Sequence, residues 1–311
     1  MMLRWRWLVR RLGQAVLVVL GAATIAFAAL HLVPGDPVRT LLGPANTSDE
    51  LAAQVRADLG LDQPILLQYL RFLGRLLTGD LGTSYQLQQP VRQVIGSQLG
   101  PTLALALAGL VLGVGLAAVL AVATAGRRRA LRLLSSTVEL VATSTPAFAT
   151  GVLLLTFFSF RWHLFPVAGG SGLEGLALPA VTLALGVFGP VAQVLREGME
   201  RALAEPFVLS SRARGTGELL VRVRHALRHA LVPVITLSGW AFGALLSGAV
   251  IIETVFGREG LGRTLAGAIA SRDLPVVTGI VVVSAAAFTV INIGVDWLYR
   301  VVDPRLRESA R

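Results

Sequence analysis

Three carboxylates stand where charge is expensive. Glu139, Glu253 and Asp296 lie at the edges of long apolar runs, and an acid inside a membrane is usually kept for ion or proton passage or neutralised by a neighbour. Arg300 follows Asp296 by one helical turn and Arg258 follows Glu253 closely, so local ion pairing accounts for both acids. The interiors of the apolar runs are nearly free of acids and histidines, which argues against a carrier coupled to protons or sodium. His31 and His163 flank other runs, while His225 and His229 form an i, i+4 pair without the intervening Glu and third ligand of a zinc protease. They read as interfacial or helix-surface histidines, and no metal site is expected. All 28 basic residues are Arg, and there is no Cys. That excludes a phosphate-loop lysine, Schiff-base chemistry, disulfides and thiol nucleophiles. No nucleophile elbow or intramembrane Asp pair is present, so no catalytic residue is expected and the chain cannot itself be a conventional ATP-hydrolysing engine.

The elements that must position these residues follow from composition. Of 311 residues 54% are apolar and 15% charged, with a mean hydropathy of +0.69, outside the range of most soluble domains. Charge-free windows run Leu12–Gly35, Gln93–Gly126, Leu140–Phe160, Gly175–Leu195, His229–Ile252 and Leu274–Val295. Each is long enough to cross a hydrocarbon core of about 30 Å at about 1.5 Å per residue. The expected fold is all-α and polytopic, with six transmembrane helices at 12–35, 93–126, 133–160, 175–195, 229–256 and 274–299. Arginine bias orients it. Placing the N-terminal segment 1–11 in the cytoplasm puts Arg4, Arg6, Arg10, Arg11, Arg127–Arg129, Arg132, the arginines of 196–228 and those of the tail 300–311 inside, so both termini are expected to be cytoplasmic. The same bias explains a pI near 11.4 by membrane orientation, without nucleic acid. Reading Arg10-Arg11 and the following run as a cleavable signal remains open, although the run is long for one.

Segment 36–92 is expected to be external, or periplasmic, and helical. Thr47 with Glu50 suits a capping box, Gly60 closes the helix that follows, and Pro64 opens another with Ile65, Tyr69, Phe72 and Leu76 on one face. It caps the pore mouth, docks an external partner, or does both. The loop 196–228 is the largest cytoplasmic feature, broken at Pro206 and Gly215, and the place where an internal partner must bind. An outer loop spans 257–273. Gly109, Gly113 and Ala117, and Gly239, Gly243 and Ser247, recur at helical spacing; packing and pore lining are both open for them. Pro146, Gly186, Gly189 and Pro190 loosen the backbone of the third and fourth spans and make them candidate pathway walls.

The run Glu205-Pro206-Phe207-Val208-Leu209-Ser210-Ser211-Arg212-Ala213-Arg214-Gly215, continued by His225-Ala226-Leu227-Arg228-His229-Ala230-Leu231-Val232-Pro233, resembles the cytoplasmic signature loop of ABC importer permeases, above all the dipeptide/oligopeptide/nickel branch. The likeness extends over nearly the whole chain through His31-Leu32-Val33-Pro34-Gly35-Asp36-Pro37, Leu59-Gly60-Leu61-Asp62-Gln63-Pro64, Gly79-Asp80-Leu81-Gly82-Thr83-Ser84, Ser144-Thr145-Pro146-Ala147-Phe148, Glu253-Thr254-Val255-Phe256 and Asp303-Pro304-Arg305.

The resemblance implies a type I importer permease fold, with a main permease domain over 96–299. It implies a coupling helix, carrying Glu205, Phe207, Ser210, Arg212, Arg214 and Gly215, that seats in an ATPase subunit. Pro146, Gly189, Pro190, Gly239, Gly243 and Glu253 are the pathway or gating candidates. The implied partners are a homologous second permease, two ATPase subunits that hold the ATP and Mg, an external substrate-binding protein and the lipid of a prokaryotic plasma membrane; no cofactor is expected on this chain. A short peptide is the implied substrate, with nickel or another small solute, or a stand-alone secondary carrier, as alternatives. The chain departs from the pattern at Phe207, where Tyr is usual, at Thr216 and Arg228, and at Gly257-Arg258-Glu259-Gly260.

Overall fold

The computed structural model describes residues 2–32, 36–42, 48–58, 60–170 and 172–302. The motif residues 33–35, the Thr47 cap, the Asp296–Arg300 pair and the tail from Asp303 lie outside the described residues or side chains. The described chain is helical: α1 Met2–Leu32, α2 Pro37–Leu42, α3 Asp49–Asp58, α4 Ile65–Leu77, α5 Val91–Thr124, α6 Arg129–Ser144, α7 Ala147–Leu154, α8 Gly172–Leu203, α9 Pro206–Ala213, α10 Glu218–Leu220, α11 Leu227–Val255, α12 Leu261–Ala270 and α13 Leu274–Val302. Two π-helical segments, Leu155–Arg161 and Val221–Ala226, continue α7 and join α10 to α11. Thr83 and Pro90 form an isolated β-bridge.

Among the described residues, α5, α8, Leu237–Val255 of α11 and Leu274–Val295 of α13 are long and apolar enough to cross a membrane. The third expected span, 133–160, is no straight rod. Here α6 and the α7 segment meet at 97° around Thr145–Pro146. Thr145 is extended at ψ 122°, as the residue before a proline prefers, and Pro146 has no N–H to continue the ladder. The pair counts as a fifth span if the bent halves cross together. In α1 the apolar stretch described covers Gly13–Ala29.

The chain divides into two compact units, Met1–Pro101 with Arg263–Val290, and Thr102–Gly262 with Ile291–Arg311. In the first, α4 lies against the C-terminal end of α1. Phe27 stacks on Phe72 at 5.7 Å and Thr24 shares a 2.7 Å hydrogen bond with the Tyr69 hydroxyl. Tyr69, Phe72 and Leu76 are half-buried there, whereas Ile65 is exposed. Ser48, one residue after the expected cap, accepts the Leu51 amide, and Gly60 closes α3 at φ +67°. Buried Asp273 accepts the Tyr85 and Gln86 amides at 3.2 Å and the Ser84 hydroxyl, tying the 84–86 turn to the start of α13.

In the second unit α8 is the central helix. Val191, Ala192, Leu195 and Met199 are fully buried, and its neighbours approach through small residues. A Cβ on Gly113 would lie 2.8 Å from the Ala184 carbonyl, and one on Gly189 would lie 2.2 Å from Thr143 Oγ1. Outward faces remain apolar, as at Leu107, Val111, Val119, Leu133, Leu140 and Phe160. Such faces suit lipid, where close packing rather than the hydrophobic effect holds helices together.

Candidate functional site

Glu205 is the N-cap of α9, in extended backbone, and Pro206 occupies the first helical position, where its missing N–H costs nothing. The helix runs two turns and ends at Gly215, whose φ of +83° lies in the left-handed region. Val208 and Ser211 point inward. Glu205, Leu209, Ser210, Arg212 and Arg214 are exposed, and Phe207 is 36% exposed at the edge where α9 meets the protein. The expected residues come together on this one short element.

Two details of this surface were not readable from the motif. Arg212 grips Glu218 bidentately, Nε to Oε1 at 2.6 Å and Nη2 to Oε2 at 3.2 Å, closing the α9–α10 turn on itself. The hydrogen bonds from Arg212 hold the Glu218 carboxyl below its ordinary range. The clamp is therefore fully present at neutral pH and weakens only as pH falls through that lowered value. Phe207 packs on the paired histidines, its ring centroid 5.0 Å from His229 and 6.5 Å from His225. The i, i+4 spacing that fails as a metal site serves as a shelf for the aromatic, seating α9 on the base of α11.

Behind the surface, buried Arg222 donates Nη1 to the Val122 carbonyl at 3.2 Å. It satisfies an otherwise orphan acceptor in the last turn of α5. Burial, then repulsion from Arg127, lowers the Arg222 pKa. Glu139 is likewise no edge residue. It is buried and takes Arg196 Nε at 2.9 Å and Nη2 at 3.0 Å, with Ser135 Oγ adding 2.7 Å. Arg196, expected in the loop, lies inside α8.

The gating candidates scatter through the second unit. Pro146 is the N-cap of α7 and Pro190 lies inside α8. Gly189 is buried against α6, Gly239 approaches Val295 of α13 and Gly243 is half-buried. Glu253 differs from the local-pairing expectation. It is fully buried, accepting Thr102 Oγ1 at 2.6 Å and the Gly262 amide at 2.7 Å, while Thr102 Oγ1 accepts the Leu261 amide at 2.8 Å. A carboxylate is thus set against the first amides of α12, where the helix dipole favours negative charge. Arg258 reaches the Gly175 carbonyl at 3.1 Å. Among the described residues no group of three His, Cys, Asp or Glu side chains could hold a metal ion.

Residues 109–308 match the family described as binding-protein-dependent transport system inner membrane component, and residues 2–106 match the N-terminal membrane component of the same systems. The chain belongs to this family. The permease is 35% identical over 302 residues to the glutathione transport system permease protein GsiC of Salmonella paratyphi A, covering 97% of this chain and 98% of that protein. It is 34% identical over 303 residues to GsiC of Escherichia coli K12, with the same coverage. Among solved structures it resembles the MetNI methionine ABC transporter in inward-facing conformations, with a TM-score of 0.54 and 19% identity over 68% of this chain and 96% of that one. That is a likeness of fold. The chain is a multi-pass ABC importer permease.

Proposed function

We propose that the chain is one of two permease subunits of a prokaryotic plasma-membrane ABC importer for short peptides. Its partners are a homologous second permease, two ATPase subunits that bind and hydrolyse ATP, and an external substrate-binding protein. The six spans are α1, α5, the bent α6–α7 pair, α8, α11 and α13, with both termini cytoplasmic as the arginine bias requires. The peptide class rests on the resemblance to the glutathione permeases.

The observation that carries this reading is α9. It is short, largely exposed, opened by Pro206 and closed by Gly215, clamped by Arg212–Glu218 and seated on α11 through Phe207. In this reading Phe207, Leu209 and Arg214 seat in the ATPase subunit, and closure of the ATPases moves α9 as a lever. Pro146, Gly189, Pro190, Gly239, Gly243 and Glu253 then belong to the helices that switch access, with Glu253 holding the outer loop.

Tagging the chain, solubilising it gently and identifying what co-purifies is the first test. Two ATPase chains and a second permease are expected, with ATP-dependent uptake of glutathione or dipeptides in proteoliposomes once the binding protein is added. A chain that purifies alone and moves solute without ATP would be a carrier instead. Phe207→Ala combined with Gly215→Val should abolish coupled uptake while leaving membrane insertion intact, because a side chain at φ +83° is strained by about 1 kcal/mol or more. Unchanged uptake in that variant would remove α9 from the mechanism.

A further inference from the structure

The first compact unit contains a cavity of about 920 Å³, lined by the C-terminal end of α1, by α3 and α4, by the 78–88 turn and by the start of α13. That volume lies near the top of the usual range for small-molecule sites, roughly 300–1,000 Å³. Its chemistry is mixed in a particular way. Arg71 and Arg75, one turn apart on α4, both line it. The Arg71 guanidinium approaches Gly60, and that of Arg75 approaches Gly82. Among the described residues neither forms an ion pair or a side-chain hydrogen bond, although Asp58 and Asp80 line the same cavity. Burial pushes the Tyr85 phenol up, partly offset by the charge of Arg75. A second feature is independent of the cations. Gln63 Oε1 is buried in the lining without a hydrogen-bond partner, and an orphan acceptor of that kind is unfavourable until a donor arrives. Phe27, Phe72 and Leu274 supply apolar wall.

Two exposed guanidinium groups without a protein acceptor among the described residues, a buried acceptor without a donor and an exposed acid on the same cavity are the complement of a molecule carrying carboxylate at one place and ammonium at another. We propose that this cavity is an external binding site for a short peptide on the permease itself, with Arg71 and Arg75 receiving carboxylate and Gln63 with Asp58 receiving the amino group. The proposal rests on the peptide-importer reading for its ligand class. It places a peptide on the outer face of this subunit, apart from any site on the external binding protein.

The test is calorimetric titration of glutathione, and separately of its dimethyl ester, into the complex that co-purifies with the full-length chain, held in lipid nanodiscs without the external binding protein. Saturable binding of the free acid is expected, about tenfold or more weaker for the ester, because esterification removes the charge-assisted hydrogen bonds. Arg71→Gln with Arg75→Gln should weaken the free acid by a similar factor. Should that variant fail to assemble, the comparison of acid with ester on the unaltered complex still decides. Absence of saturable binding, equal binding of acid and ester, or a double variant that binds glutathione normally would each overturn the proposal. So would a double variant that leaves glutathione binding intact and weakens only capture of the external binding protein, which would make the cavity a protein-docking surface. ATP-dependent uptake by the same preparation separates the two readings. Uptake without binding in the cavity overturns the cavity alone, whereas no ATP dependence overturns the importer.

Discussion

Glu139 and Arg196 stand 57 positions apart and meet as a bidentate pair with side chains 6% and 11% exposed. No local spacing rule reaches that distance, so neither residue could be assigned to the other from the sequence. Glu139→Ala leaves the guanidinium buried without its carboxylate and should destabilise the permease by about 3–5 kcal/mol. Glu139→Ala with Arg196→Met should recover most of that loss, and thermal unfolding of detergent-solubilised protein measures both. Equal losses in the two variants would mean that the pair contributes nothing beyond packing. Glu253 was legible as unusual because an acid ends an apolar run, but its hydrogen bond from the Gly262 amide, beside Thr102 holding that of Leu261, was not, since backbone donors leave no mark in a sequence. Glu253→Gln would turn an amide donor toward one of the donors the carboxylate now accepts, such as Thr102 Oγ1 or the Gly262 amide. Faster hydrogen exchange at Leu261 and Gly262 is expected, and unchanged exchange would show the carboxylate to be dispensable there.

At the scale of elements, breaks were easier to read than their geometry. Pro206, Gly215 and Gly60 act where their residue types place them, because each answers a local backbone demand at a helix end. Pro146 announced an interruption, yet the 97° between α6 and α7 depends on what both helices pack against. Pro146→Ala removes the steric bar on a helical Thr145. Spin labels on Val138→Cys and Leu153→Cys, both exposed positions, should then show distances broadening toward the roughly 22 Å of a straight helix at 1.5 Å per residue. A distribution identical to the parent would mean that packing alone sets the bend. The histidine pair reads as interfacial or helix-surface, and it is so placed, with His225 half-buried and His229 exposed; that it also seats Phe207 is not legible, because the aromatic partner lies on another helix and only the fold brings them together.

For the molecule as a whole, hydropathy carried the reading furthest, since lipid imposes a length rule on every span at once, whereas the orientation inferred from arginine placement is still a proposal. The chain lacks Cys, so any introduced thiol is unique. A membrane-impermeant maleimide should label Asp62→Cys from outside intact cells and Leu209→Cys only after permeabilisation. The reverse pattern would invert the proposed orientation. From Glu218 to Val255 the chain is helical without interruption, a strut of roughly 55 Å at 1.5 Å per residue. One end is pinned to α9 by the Arg212–Glu218 clamp, and the other carries Glu253, which holds the amide of Gly262. If α9 is the lever proposed above, a torque applied at that end would reach the Glu253 end along one continuous helical rod, with Pro233 and the π-helical turn as the breaks in its regular hydrogen-bond ladder.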